Sequence, residues 1–432
     1  MTQSVAVLSP RRVRPDRFRP RRAVPREVET THLTGWSRLR RHVQWSSGRR
    51  YEPLLEDMGV DADAIVALRG PRPMLMFAEQ AGCWLCPRDL LRVRLTFALA
   101  ARLRIGARVL ALGHDVFTAT GDKKSFLGVH LHHELGPVRF LGWPFIRRSR
   151  HRSYSTLRLD ASTLDRMRHA YRLMISMLDA ARHGPHVFST GVGQMFDRGV
   201  PAGFRRLLPV TSERGALREL AASLRAEHDL DAAIDQLVAS CRALRAGTTW
   251  RDYWVSVNGR FLDTPVEPLE PLLNALVLTI RDPALFVRRL ATWQRTDRVA
   301  VVGVHTPDDQ YRIVYGDPAT TRLTLVTTDG EREISWSEIR ELAGEGRTGG
   351  PCGVAEYLLF AAMGRYLVTD FEDGLQSYQS LASEIHREYL GCEFPWTTFG
   401  CFHQDVDRVF LDAYRHGFDE RVAIAIDRFF DH

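Results

Sequence analysis

Two short polar segments carry the residue types best suited to chemistry, and each follows an apolar run of buried-strand type. The first is Gln-Ala-Gly at 80–82, and the second is Gly-His-Asp at 113–115. A glycine lets a ligand approach the backbone closely, and a histidine beside a carboxylate exchanges protons near neutral pH. The same residues also suit ordinary strand exits and turns. The candidate catalytic residues are His114 and Asp115, and the candidate binding residues are Gln80 and Gly82.

The chain around these segments has the pattern of a strand, a helix and a second strand. The apolar run at 74–77 precedes the first segment, and Pro87 stands where a helix begins, because its missing N–H costs nothing there. Leucines then recur at helical spacing up to about Arg104, and Gly106 is expected to end the helix. The run at 109–112 is the second strand. Such a unit predicts a parallel sheet, in which ligands bind beyond the carboxyl ends of the strands.

Two further features suit the binding of an anion. The glycine-rich segment 344–350 precedes a helix that begins near Val354, and a helix N-terminus offers backbone N–H groups to a phosphate. The segment matches neither the Walker A motif nor the full GxGxxG motif. Lys123 and Lys124 follow the second strand, where they would neutralise a polyphosphate. Candidate nucleotide-binding residues are therefore Lys123, Gly349 and Gly350.

The net charge of +7 is carried by the N-terminal tail. Residues 1–26 hold eight arginines and one acid, and the rest of the chain holds 51 basic and 51 acidic residues. The prolines between the arginines prevent a helix, so we expect a disordered tail. A contact with nucleic acid would depend on this tail, since the body is neutral. No apolar run approaches ~18 residues and no apolar leader is present, so we expect a cytoplasmic protein without a membrane span.

The pair Cys83 and Cys86 forms a CxxC and leaves two alternatives open. A strand, this pair and a helix N-terminus follow one another in thioredoxin-type redox proteins, because the helix N-terminus lowers the thiol pKa. A CxxC is also half of a zinc site, which Cys392, Cys401 and His403 would have to complete. We keep a thiol–disulfide redox protein as the alternative function and expect no metal site.

Length and pattern predict an α/β protein with several units. The 432 residues are 44% apolar and 26% charged, which is ordinary for a globular protein. Residues 126–146 indicate a β-hairpin and 160–182 a helix, whereas 298–327 indicate an antiparallel meander that ends in an Asp-Gly hairpin turn. The last 60 residues are expected to be helical. The expected units are a disordered basic tail (1–30), the first part of a Rossmann-like core (31–200), a helical insertion (201–297), and a β-meander with helices that complete the core (298–432).

Several motifs together resemble those of the bacillithiol cysteine-adding enzymes. That family begins with a Gln-Ala-Gly or Gln-Pro-Gly turn, a proline at fixed spacing, a long helix, and a strand that ends in an acidic-His-Asp motif. It carries a Gly-Gly-Pro motif with a nearby Ala-Tyr in its C-terminal part. The matching residues in this chain are Gln80, Ala81, Gly82, Pro87, His114, Asp115, Gly349, Gly350, Pro351, Ala355 and Tyr357.

The resemblance implies a Rossmann-like sheet of the nucleotidyltransferase type that binds ATP or ADP, with or without Mg²⁺. It also implies a carbon–nitrogen ligase that joins an amino acid, cysteine in the family case, to a small-molecule acceptor by an amide bond. Carried over position by position, the pocket would be bordered by Gln80, Gly82, His114, Asp115, Gly349 and Gly350.

One departure from the family concerns a lysine six residues after the proline. This chain has Val93 at that place, with Arg92 and Arg94 beside it. A guanidinium binds phosphate but does not donate its proton, so Arg94 is expected at the nucleotide as a binding residue only. The resemblance therefore implies a diverged ligase with another acceptor than the bacillithiol precursor. A nucleotide-binding relative without catalysis is the alternative within the same family.

Overall fold

A computed structural model describes most of the chain between residues 48 and 399. The described residues are 48–70, 72–80, 104–112, 126–131, 139–144, 153–188, 190, 230–262, 264–308, 310–327, 329–370, 376–392, 394 and 397–399, with single positions between 93 and 103 and between 218 and 225. Outside the described residues lie the expected tail 1–30 and the predicted residues Gly82, Cys83, Cys86, Arg94, His114, Asp115, Lys123, Cys401 and His403.

Strands and helices alternate along most of the described chain. The strands are β1 (Met74–Gln80), β2 (Gly106–Leu112), β3 (Phe126–Leu131), β4 (Arg139–Pro144), β5 (Val266–Pro268), β6 (Val299–His305), β7 (Tyr311–Gly316), β8 (Leu323–Thr327), β9 (Gly330–Glu333), β10 (Thr348–Pro351), β11 (Arg365–Asp370) and β12 (Thr397–Phe399). The helices are α1 (Glu52–Asp57), α2 (Ala62–Arg69), α3 (Ala161–His183), α4 (Leu230–Arg242), α5 (Trp250–Leu262), α6 (Glu270–Leu278), α7 (Pro283–Gln294), α8 (Trp336–Gly344), α9 (Val354–Ala362) and α10 (Gln376–Leu390). Within the described part, no helix has the length and apolar character needed to cross a bilayer.

A parallel sheet has the strand order β12-β11-β1-β2-β5, and each neighbouring pair is parallel. Its two faces are both covered, because successive side chains of a strand point to opposite sides. Met76 and Leu110 pack in the largest core, whereas Phe77 and Val109 pack in a separate cluster with Leu262 of α5. The predicted α/β class with a parallel sheet is therefore confirmed.

The ends of β1 and β2 differ from the sequence prediction. Strand β1 continues through Gln80, which was expected in a turn, because all of its residues pair with β2 as far as Gln80 opposite Leu112. Strand β2 already begins at Gly106, opposite Met74. The preceding helix is ended two residues earlier by Arg104, which adopts a left-handed φ of 57°.

An antiparallel sheet has the order β10-β6-β7-β8-β9 and confirms the predicted meander. Its edge strand β10 is a correction: Gly349 and Gly350 lie in a strand, not in a glycine-rich loop, because Thr348 and Pro351 pair with β6. Two more short strands were missed, β5 within the segment expected to be a helical insertion and β12 within the last 60 residues. Strands of three or four residues carry too little pattern to be recognised in a sequence.

Two large hydrophobic cores hold the helices. The first contains the antiparallel sheet, one face of the parallel sheet, and residues of α1, α2, α6, α7, α9 and α10. The second contains residues of β3, α3, α4 and α5. The hairpin β3–β4 and the long helix α3 agree with the prediction. Asp160 begins α3, because its side chain accepts a hydrogen bond from the Thr163 backbone N–H at 2.6 Å.

His386 is a fully buried polar side chain of α10. Its Nδ1 lies 3.0 Å from the backbone oxygen of Cys392, so Nδ1 carries the proton and donates it there. The Tyr51 hydroxyl then donates to Nε2 over 2.7 Å. The neutral ring therefore has a partner at both nitrogens. Burial lowers the pKa of His386 to about 4, although its hydrogen bond to the Cys392 oxygen opposes this shift.

The buried neutral His386 predicts a loss of stability in acid. An unfolded histidine has a pKa of about 6.5, so between about pH 6.5 and the folded value of about 4 only the unfolded chain binds the proton. Stability is therefore present above about pH 6.5 and is lost as the pH falls to about 4, by up to about 3 kcal/mol. Urea unfolding of the wild type and of His386→Gln across this range measures the contribution.

The difference between the two proteins isolates His386, because their carboxylates titrate alike. We expect the wild type to lose more stability than His386→Gln on acidification. His183→Gln, at an exposed residue near the end of α3, is the control and should follow the wild type. Equal pH dependence in the wild type and His386→Gln would show that His386 is not held neutral in the folded state.

Candidate functional site at the carboxyl edge of the parallel sheet

The two central strands of the parallel sheet end at the same level. Gln80, the last residue of β1, pairs with Leu112, the last residue of β2. The segments that begin at residues 81 and 113 therefore leave the sheet at adjacent points. This edge is where the two predicted polar segments start, although only Gln80 of their candidate residues lies within the described part.

A third strand adds a carboxylate residue to this edge. Strand β11 is parallel to β1 on the side away from β2, and it ends at Asp370. Sequence reasoning missed Asp370, although it stands where a short apolar run turns polar, the same signal that identified Gln80. Asp370 is therefore a further candidate at the point where β1 and β11 leave the sheet.

Helix α6 begins at the carboxyl edge and is fixed there by polar contacts. The backbone N–H of Leu269 donates to the Ala111 oxygen of β2 over 2.9 Å, which fixes the start of the helix beside that strand. The carboxylate of Glu270, buried in the first turn, accepts a hydrogen bond from Arg251 Nη1 at 3.3 Å. Arg251 also donates to Asp252 at 2.8 Å. This buried ion pair joins α5 to α6 and was not recognised in the sequence.

Asn274 of α6 holds strand β10 in place. Its Oδ1 accepts hydrogen bonds from the backbone N–H of Thr348 at 2.9 Å and from the Thr348 hydroxyl at 2.7 Å. Its Nδ2 donates to the Glu270 backbone oxygen at 2.7 Å. Because these groups are buried, each hydrogen bond removes the cost of an unsatisfied polar atom. The network therefore sets the position of Gly349 and Gly350, which follow Thr348.

Gly349 and Gly350 are buried between side chains of the protein. A Cβ at Gly349 would lie 2.5 Å from the ring of Tyr311, and a Cβ at Gly350 would lie 2.8 Å from Leu273. Gly350 also has a φ of 86°, which favours glycine. The structure thus explains both glycines by close packing of β10. Nucleotide binding at these two residues stays a prediction.

Helix α9 leads from β10 back to the parallel sheet. Only Met363 and Gly364 separate α9 from β11, and the helix packs on that strand, so it runs antiparallel to the strand and begins near the carboxyl edge. Glu356 lies in its first turn, and Cys352 directly precedes Gly353, the N-cap residue. Burial raises the pKa of Glu356 to about 8. Burial and the charge of Glu356 raise the pKa of Cys352 to about 12.

A serine and a histidine lie close together elsewhere in the fold. Ser155 Oγ is 3.4 Å from Nε2 of the buried His305, and Ser153 Oγ is 2.7 Å from Ser155 Oγ. A serine beside a histidine is typical of nucleophilic enzymes. Here Ser153 Oγ also accepts the backbone N–H of Ser155, which forms a turn before α3. His305 lies at the opposite end of β10 from α9, so the pair does not belong to the carboxyl edge.

Comparisons with protein-family models, with curated proteins and with solved structures give no match to this chain. Within the part of the chain that the structure describes, no three His, Cys, Asp or Glu side chains are grouped so that they would hold a metal ion. Function therefore has to be inferred from the edge of the parallel sheet and from the sequence motifs.

The packing of Gly349 predicts the effect of a single methyl group. Gly349→Ala should destabilise the fold by about 1–3 kcal/mol, because the new Cβ collides with the Tyr311 ring. In a Tyr311→Ala background the same substitution should cost less, with a coupling energy of at least about 1 kcal/mol. Urea unfolding of the four proteins of this cycle gives both values.

Gly344→Ala is the matched control for this cycle, because a Cβ at Gly344 would meet no atom within 4 Å. It should leave stability nearly unchanged. A Gly349→Ala protein that is as stable as the wild type would contradict the packing role. Equal costs with and without the Tyr311 ring would show that the ring is not the obstacle.

Proposed function

We propose that this chain is a nucleotide-binding ligase that forms an amide bond between an amino acid and a small-molecule acceptor. The observation that carries the proposal is the order of the parallel strands. Counted along the chain, β1, β2, β5, β11 and β12 are the first to fifth parallel strands, and their spatial order is 3-2-1-4-5. This order is typical of Rossmann-type sheets, which bind nucleotides, so we infer a Rossmann-type sheet here.

The strand order also predicts where the nucleotide binds. In such sheets the ligand lies beyond the carboxyl ends of the strands, where the order reverses, which in this chain is between β1 and β11. Helix α9 begins on this edge beside β11, and α6 begins on it beside β5. Helix N-termini favour phosphate through their free N–H groups and dipole. These features support ATP or ADP as the bound nucleotide, with or without Mg²⁺.

The sequence motifs supply the proposed chemistry. Amide formation requires a carboxylate activated as a phosphate or nucleotidyl ester, followed by attack of an amine. Arg94, Lys123 and backbone N–H groups would stabilise the charge that develops on the phosphate. His114 would take the proton of the attacking amine, and Asp115 would orient the imidazole. The resemblance to the cysteine-adding enzymes favours cysteine as one amino acid to test.

Nucleotide binding is tested by thermal unfolding with ATP, ADP and AMP, each with and without Mg²⁺. We expect one of these nucleotides to raise the melting temperature, because a ligand at 100 times its dissociation constant stabilises the folded state by about 2.7 kcal/mol. Guanosine diphosphate serves as a comparison for base specificity. A melting temperature unchanged by every nucleotide would contradict the proposal.

The role of His114 is tested by the substitution His114→Ala. Turnover of ATP with cysteine and a primary-amine acceptor should fall at least about 100-fold, the scale of a lost acid–base group, while thermal unfolding stays close to that of the wild type. His183→Ala, at an exposed helix end, is the control and should keep full turnover. Unchanged turnover in His114→Ala would remove His114 from the mechanism.

A further inference from the structure

Helix α9 is open to solvent only at its first turn. Every residue from Val354 to Ala362 is buried except Glu356, which keeps part of its surface exposed, as do Cys352 and Gly353 just before the helix. The charge of Glu356 also contributes to the raised pKa of the Cys352 thiol, so the two side chains lie close together. A thiol and a carboxyl group therefore line one recess in an otherwise buried helix.

The recess opens beside the point where the strand order reverses. Helix α9 packs on β11 and on α2, the helix that precedes β1, so it covers the strands on both sides of that point. Its antiparallel course along β11 brings Glu356 to the carboxyl edge, where β1 ends at Gln80 and β11 ends at Asp370. The recess thus lies at the position expected for the nucleotide.

The Glu356 carboxyl is an unusual group for an anion site only if it is charged. No hydrogen bond or ion pair to it is found among the described residues. Burial alone raises its pKa to about 8, and no charge on Arg69 of α2, Arg365 of β11 or His386 of α10 offsets this burial. Glu356 is then mostly neutral at pH 7. A neutral carboxyl donates one hydrogen bond, as the N–H groups of the first helical turn do.

We propose that Glu356 is a phosphate-binding residue, and that its neutral carboxyl donates a hydrogen bond to a phosphate oxygen of the nucleotide in the recess it shares with Cys352. The inference rests on the proposed function, because it names the contact of that same nucleotide. Ionisation of Glu356 would replace a donor by a negative charge that repels the phosphate. Binding should therefore weaken as the pH rises, in contrast to the behaviour of a site formed by lysines or arginines alone.

The affinity for ADP measured by calorimetry between pH 7 and pH 9.5 tests this inference. The ADP phosphates are already ionised over this range, so the protein supplies the pH dependence. In the wild type we expect the affinity to fall by about tenfold per pH unit above about pH 8, because the ionised form does not bind. In Glu356→Gln, which keeps a donor that never ionises, the affinity should be independent of pH.

Glu341→Gln, on the exposed side of α8, is the matched control and should keep the pH dependence of the wild type. A wild-type affinity that does not change with pH would overturn the inference, and this result requires no variant that folds. The same fall in affinity in Glu356→Gln as in the wild type would also overturn it, because another group would then be titrating.

A parallel titration with pyrophosphate separates this inference from the proposed function. Pyrophosphate binding that weakens above about pH 8 only when Glu356 is present, without any binding of ADP, would support the phosphate contact and contradict the nucleotide. Binding of ADP without a pH dependence would support the nucleotide and overturn the role of Glu356. A protein that binds neither compound at pH 7 would overturn both.

Discussion

The parallel pairing of β1 with β2 is the constraint on which the rest of the candidate site depends. The strands are paired from Met74 opposite Gly106 to Gln80 opposite Leu112, so both end at one edge. Phe77 packs on one face of the sheet and Met76 on the other, so a shift by one residue would exchange the two sets of side chains. Burial on both faces therefore fixes the register, and the register fixes where the two loops begin.

The antiparallel sheet acts on this edge through one short strand. Strand β10 is held by Asn274 on one side and accommodates the Tyr311 ring on the other, which requires glycine at 349. The chain then passes directly into α9 and from there into β11. Packing in the meander thus decides where the first turn of α9, with Glu356, meets the parallel sheet.

The sequence was sufficient to predict the strongly patterned parts of this fold. Strands β1 and β2, the meander and the hairpin β3–β4 have apolar runs or turn residues that identify them, and their pairing followed from general rules. Strands β5, β10 and β12 have three or four residues, so their existence depends on a neighbouring strand that is distant in sequence. The glycines of β10 were therefore interpreted as a loop.

The candidate site was predicted only where residues follow a patterned strand. Gln80 and the segment at 113–115 were found in this way, and Asp370 carries the same signal. Glu356 was not found, because its properties arise from burial by elements that are distant in sequence. The buried pair of Arg251 and Glu270 was missed for the same reason, since each residue alone resembles an exposed charge.

Hydrogen–deuterium exchange with and without ADP and Mg²⁺ tests most directly whether the carboxyl edge is the ligand site. The account predicts slower exchange on ligand addition in peptides that cover 110–116, 268–272 and 352–357. Exchange at the opposite, amino edge, in peptides that cover 72–75 and 363–366, should not change. Protection confined to the amino edge or to β7–β9, with none at the carboxyl edge, would contradict the account.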